Sequence, residues 1–206
     1  MSMVKLLPGF TRPYRMTFAF SAFMLIFSVA LGYGAWTEDP AVAKAAIEVI
    51  IDSKFLTIIE KMSNAGWWGQ FKIIFSNNLL ATFMIIMSGA FLPFLPVLMG
   101  VIPNGFIIGL MAGYFEAEKF VHRSTFFLGL LPHGLFELPA VILSATVGII
   151  WGSRNWRSLF SGGAFGSLGA HLKSSLAFLP LIIILLLVAA FIEVLITPLL
   201  TLPSFA

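Results

Sequence analysis

Cysteine is absent from the 206 residues, and charged side chains make up only 10% of them. The first absence excludes disulfides, a thiol nucleophile and a thiolate metal site. The second, set beside 59% hydrophobic residues, excludes a water-soluble domain, because one chain of this length cannot bury that much apolar surface. A net charge of +3, scattered along the chain, points away from nucleic acid. No internal repeat is visible.

What is present is a set of long runs without charge. A bilayer core of about 30 Å takes roughly 20 helical residues. Residues 16–36 form one such span, following Lys5, Arg12 and Arg15. It is long for a signal peptide, and "LGYGAW" lacks a small-x-small cleavage pattern, so an uncleaved helix is expected. Ile73–Phe115 holds no charge and is long enough for two spans, at 73–92 and 97–115. The prolines of "LPFLPV" mark the turn between them. Further spans are expected at 125–151 and 174–198. Pro132 suits a first helical turn, so the fourth helix is expected to restart there, leaving Thr125–Leu131 as a short dip.

The expected fold is therefore all-α, a single transmembrane domain over residues 1–206. It is a bundle of five spans with its termini on opposite faces. The compact basic tail places the N-terminus in the cytoplasm, with Pro40–Lys72 and the C-terminal "TLPSFA" outside. Six basic residues on each side leave the positive-inside count level. Trp36, Trp67 and Trp68 are expected at one interface, Trp151 and Trp156 at the other. In Pro40–Met62, Lys44, Glu48 and Asp52 recur every four residues against a side of isoleucines, Phe55 and Met62. That pattern predicts an amphipathic helix on the outer membrane surface, with capping of the bundle as the alternative. "SGGAFGSLGAHLKSS" (Ser161–Ser175) reads as a flexible connection.

Polar groups interrupt this background where lipid would not tolerate them. Asn77 and Asn78 open the second span, Asn104 lies in the third, His133 and Glu137 in the fourth, and Glu193 in the fifth. Such groups cost a few kcal/mol each and face the bundle interior. At 1.5 Å per residue, Asn78 lies roughly 9 Å past Lys72, Asn104 about 18 Å before Glu116, and Glu137 at most about 21 Å past Arg123. All fall on one side of the membrane with Glu193, so they are able to converge. His133 and Glu137, at i and i+4, share a helical face. With Glu193 as a third ligand they suit a divalent metal, zinc first. The alternative is a hydrogen-bonded clasp between helices. No enzyme is expected: the HExxH helix of a zinc hydrolase is absent, and a metallohydrolase would need Glu137 to do two jobs. Gly105, Gly109 and Gly113 form a doubled GxxxG for close helix packing, within the chain or between protomers of a homodimer or higher homo-oligomer. Gly134, beside His133, is a further packing position.

The segments "IFSNN", "PNGFIIGLMAG", "LPHGLFELPAVILSATVG" and "AAFIEVLITP", in this order, resemble the stage II sporulation protein M family of prokaryotic membrane proteins over Phe71–Pro198. The resemblance implies a cell (plasma) membrane protein of five to six helices. Its signature residues map to Asn77, Asn78, Asn104, Gly105, Gly109, His133, Gly134, Glu137 and Glu193. It also implies peptidoglycan-degrading partners, since the namesake acts with such enzymes in septal thinning and engulfment. Two readings follow. In one, the polar cluster is the site of a homo-oligomeric ion channel or transporter, with divalent metal as the ion. In the other, the protein is a scaffold for cell-wall hydrolases, and membrane lipids are its remaining neighbours.

Overall fold

The computed structural model describes residues 11–50, 56–118, 123–161 and 176–198. Among them every element is helical: α1 (Arg12–Glu38), α2 (Pro40–Ile50), α3 (Leu56–Ser63), α4 (Trp67–Phe91), α5 (Ile102–Glu118), α6 (Arg123–Phe160) and α7 (Leu179–Leu195). A π-helical turn, Val97–Val101, leads into α5, and a 3₁₀ turn, Leu176–Phe178, into α7. Five segments have the length and apolarity to cross a bilayer: Arg12–Glu38, Trp67–Phe91, Val97–Ala117, Leu128–Phe160 and Leu176–Leu195. The expected all-α membrane bundle is what the chain forms.

Local chemistry sets the ends of these helices. A proline opens α1, and Asp39 takes an extended backbone that stops it. The same Asp39 carboxylate accepts the N–H groups of Ala41 and Val42 at 3.1 Å, capping α2. One residue therefore separates two helices. Leu92 is likewise extended and ends α4 before Pro93. The π turn that follows ends two residues before Pro103, whose missing N–H cannot continue an α ladder.

The membrane-length helices alternate in direction, and α6 is their hub. It packs on α1, α4, α5 and α7, and its apolar window is 67% buried against 22–39% for the other four. α6 also corrects the sequence reading. It runs unbroken through Pro132 and Pro139 to Phe160, with no restart and no dip over residues 125–131. At 1.5 Å per residue it is about 57 Å long, far more than a bilayer core. Neighbours on four sides can meet the carbonyls that its prolines leave without a donor, which is why membrane helices tolerate them.

Two glycine seams bring helices to backbone contact. α1 and α5 run parallel, and a methyl group at Gly105, Gly109 or Gly113 would collide with Leu25 and Ser28, with Val29 and Tyr33, or with Trp36. Gly32 answers from α1 against Phe106 and Leu110. The second seam joins α4 and α6, where Gly89 meets Gly148 and Gly152. Gly134 belongs to neither. A side chain there would meet only Leu130 and Leu138 of its own helix, at an ordinary 3.9 Å, so it is not a packing glycine.

Helix α2 is not free on a membrane surface. Ala43 and Ile47 are buried with Trp36 and Leu110, so α2 caps the ends of α1 and α5, while Lys44 and Glu48 stay exposed. The segment expected as one helix over residues 40–62 is seen as α2 and most of α3; residues 51–55, Asp52 and Phe55 among them, lie outside the described residues. So do the connection at 162–175 and the C-terminal "TLPSFA". Two of the expected interfacial tryptophans are core residues instead. Trp151 is 1% exposed, and buried Trp36 donates from Nε1 to the Leu110 carbonyl at 2.7 Å. Trp67 and Trp68 are exposed, as an aromatic belt requires.

Candidate intramembrane polar site

The second and third membrane helices, α4 and α5, are joined through the π turn but diverge beyond it, and α6 floors the space between them. The result is a cleft with a volume of about 410 Å³. Asn77, Asn78 and Thr82 line it from α4, Pro103 and Asn104 from α5, and Glu137 and Val141 from α6, with Leu186 of α7 behind. All three asparagines singled out in the sequence and one of its two intramembrane acids thus converge. The convergence required no long-range coincidence of loops: Asn78, Asn104 and Glu137 are held on three adjacent membrane helices.

Each polar group has a distinct setting. The Asn78 side chain is within hydrogen-bonding reach of the Glu137 carboxyl group. The amide of Asn104 donates to the Gly100 carbonyl at 2.7 Å, inside the π turn, which leaves its oxygen as the group not spent on the backbone. Thr82 turns inward to the Asn78 and Leu79 carbonyls, both at 2.9 Å. Asn77 is exposed, and its amide stands 3.5 Å from the Asn78 oxygen, at the edge of bonding. Together the lining presents one carboxyl group and amide oxygens, the donor set of a hard, hydrated cation.

His133 and Glu193 form a second contact that does not line the cleft. Nδ1 of His133 lies 2.6 Å from Oε2 of Glu193, joining α6 to α7. Both atoms are shut off from solvent, and they meet off the axis of a straight ring hydrogen bond. The pair is therefore an ion-pair contact whenever the imidazole is protonated.

The three residues expected as zinc ligands are consequently divided. His133 contacts Glu193, whereas Glu137 lines the cleft beside Asn78, still near enough to both for their charges to act on one another. Among the described residues, no group of three or more histidine, aspartate or glutamate side chains is placed to hold a metal ion. A structural zinc needs such a group closed around it at about 2 Å, and this arrangement does not fit one. The reason is geometric. An i, i+4 pair shares a helical face, but two side chains on that face can each lean toward a different neighbouring helix.

Sequence reasoning missed the π turn and the second glycine seam. Gly148 and Gly152 carry the same four-residue spacing as the seam that was recognised, so that signal was available. The π turn had only the Pro96 and Pro103 flanks to mark it.

Comparison with known proteins agrees with the resemblance. The family model described as Stage II sporulation protein M matches residues 18–198, and the chain belongs to that family. Two uncharacterized proteins of Methanocaldococcus jannaschii are similar. One is 32% identical over 122 residues, covering 58% of this chain and 52% of its own length. The other is 31% identical over 129 residues, covering 63% and 71%. The chain thus spans about half the length of the first of these relatives. No solved structure matches.

Proposed function

We propose that this member of the stage II sporulation protein M family passes a small divalent cation across the cell membrane, as a channel or transporter, with Glu137 as the carboxylate that receives the ion. The observation that carries the reading is the meeting of Glu137 with Asn77, Asn78 and Asn104 in one cleft between helices long and apolar enough to cross a membrane. A half-buried carboxylate with amide oxygens around it replaces part of a cation's hydration shell while leaving room for retained waters. A site that holds its ion through one carboxylate binds loosely enough to release it, which conduction requires. The ion is cargo here and not a resident cofactor.

The cleft is open on the side away from α6, where Asn77, Ala81, Met84 and Met99 are exposed. Lipid is a poor neighbour for Asn77. We infer that a second copy closes the cleft along the exposed edges of α4 and α5. Gly105, Gly109 and Gly113, expected to pack either within the chain or between protomers, are filled by α1 of the same chain. The N-terminus is taken as cytoplasmic, following its basic tail.

Water access tests the reading cleanly, because the chain has no native cysteine. Single cysteines at Asn78 and Asn104 are expected to react with a small charged thiol reagent in liposomes, and millimolar divalent cation to slow the reaction. Leu80, exposed on α4 and outside the cleft lining, is the lipid-facing control and should stay unlabelled. Equal protection of all three cysteines from the reagent would remove the aqueous pathway. The polar cluster would then be left as a clasp, as a scaffold protein would use it.

A further inference from the structure

The π turn beside the cleft leaves the backbone ladder one donor short, and Asn104 supplies it. The Ile102 N–H reaches back five residues to the Val97 carbonyl. From Ile102 onward α5 keeps the ordinary four-residue step. A ladder that changes from five to four passes over one carbonyl. The five-residue step sets Leu98 opposite Pro103 and Met99 opposite Asn104, and the four-residue step resumes with Val101 opposite Gly105. The carbonyl passed over belongs to buried Gly100, the one that accepts from the Asn104 side-chain amide at 2.7 Å. A carbonyl only accepts, so the nitrogen end of that amide must face it.

An unbroken α ladder would serve the same carbonyls differently. It would give Gly100 the backbone N–H of Asn104 and leave Met99 opposite Pro103. Each register therefore has one carbonyl facing the proline, and only the π register needs the side-chain amide. The proline ring favours the wider turn, because in an α ladder it presses on the carbonyl four residues back. That preference does not decide the matter in this bundle, since α6 keeps α geometry through Pro132 and Pro139. With the amide removed, the π register holds two carbonyls without a donor and the α register one. An unpaired buried carbonyl is costly enough to choose between them.

The register also shapes the cleft. Gly105 and Gly109 fix α5 against the backbone of α1, so a change of register falls on the residues before Val101. Losing the extra residue of the wide turn rotates that stretch by about 100° and carries each residue toward its predecessor's place. Met99, which lines the cleft, would move to the place of Leu98, which does not.

We propose that Asn104 is a positioning residue that holds this wall of the cleft in the π register. Its amide stands in for the N–H that the ladder lacks, and without it the turn closes to α and takes Met99 out of the cleft. This role goes beyond the passage of an ion and does not depend on it.

The test is magic-angle-spinning NMR of the full chain in lipid bilayers. Met99–Gly100 and Gly100–Val101 are the only Met–Gly and Gly–Val pairs in the sequence, so isotope labels on the carbonyl carbon of the first residue type and the amide nitrogen of the second report each carbonyl alone. In Asn104→Ala the Gly100 carbonyl should stay hydrogen-bonded, now to the backbone, while the Met99 carbonyl resonance moves upfield as its donor is lost. Asn104→Ser should leave both resonances near their wild-type positions. A serine hydroxyl can reach the carbonyl four residues back, as Ser144 does to Ala140 at 2.8 Å. Every other pattern overturns the proposal. Movement of Gly100 would mean that Asn104 satisfies a carbonyl without setting the register, and no movement that its amide is idle. The same change in Asn104→Ser would mean that the donor is not the cause. Asn104→Leu, which also lacks a donor and keeps the volume, gives the same reading should Asn104→Ala fail to fold.

Discussion

Glu137 and His133 stand one helical turn apart and have different partners. His133 closes onto Glu193 across the α6–α7 boundary, while Glu137 meets Asn78 in the cleft. Removing His133 alone leaves a partly buried carboxylate with no counterpart. His133→Leu is therefore expected to lower stability by about 1–3 kcal/mol. The double variant His133→Leu, Glu193→Leu should recover most of that loss, since an apolar pair of similar volume is a fair replacement for a buried ion pair. A double-mutant cycle read by thermal melting measures the coupling. Additive losses would show that the two side chains do not act as a pair. The sequence made both residues visible, because ionisable groups in an apolar run stand out by their insertion cost. It could not assign their partners. Side-chain direction around a shared helical face depends on which neighbour is nearer, and that is a tertiary fact.

At the scale of the helix, small residues decide how closely two backbones approach. Gly109 faces the Val29 carbonyl and the Tyr33 amide, which cannot move aside as a flexible side chain would. Gly109→Ala is expected to destabilise the protein by about 1–3 kcal/mol through overpacking. Gly134→Ala, where the added methyl would meet only Leu130 and Leu138 at an ordinary 3.9 Å, should change stability by no more than about 0.5 kcal/mol. Equal effects of the two substitutions would contradict the seam between α1 and α5. The spacing of Gly105, Gly109 and Gly113 was readable as a packing face, but a repeat carries no label for its partner. Pro132 shows the opposite case. Read alone it promises a helix start, yet α6 passes through it because packing on four sides outweighs a local preference.

For the whole molecule, length and apolarity were sufficient to mark five segments able to cross a bilayer, since a crossing segment must satisfy its own backbone inside lipid. The arrangement of those crossings was not legible. The burial of α2 on the ends of α1 and α5, and the divergence of α4 from α5, depend on contacts between distant segments. The open edge of that divergence leads to an expectation about assembly. Cysteine in place of exposed Asn77 should form a disulfide between two copies under mild oxidation in membranes. Cysteine in place of Gly105, buried against α1, should not. Crosslinking through Gly105 in place of Asn77 would put the interface on the wrong face.

The central claim is that the cleft is a passage and not a clasp, and divalent-cation flux through Glu137→Gln in liposomes tests it most directly. The substitution keeps the shape and removes the carboxylate charge. The account predicts that wild-type protein carries the ion down its gradient and that Glu137→Gln carries at least about tenfold less, with both proteins melting within a few degrees of each other. Flux that is absent from the wild type, or unchanged in the variant, would contradict it.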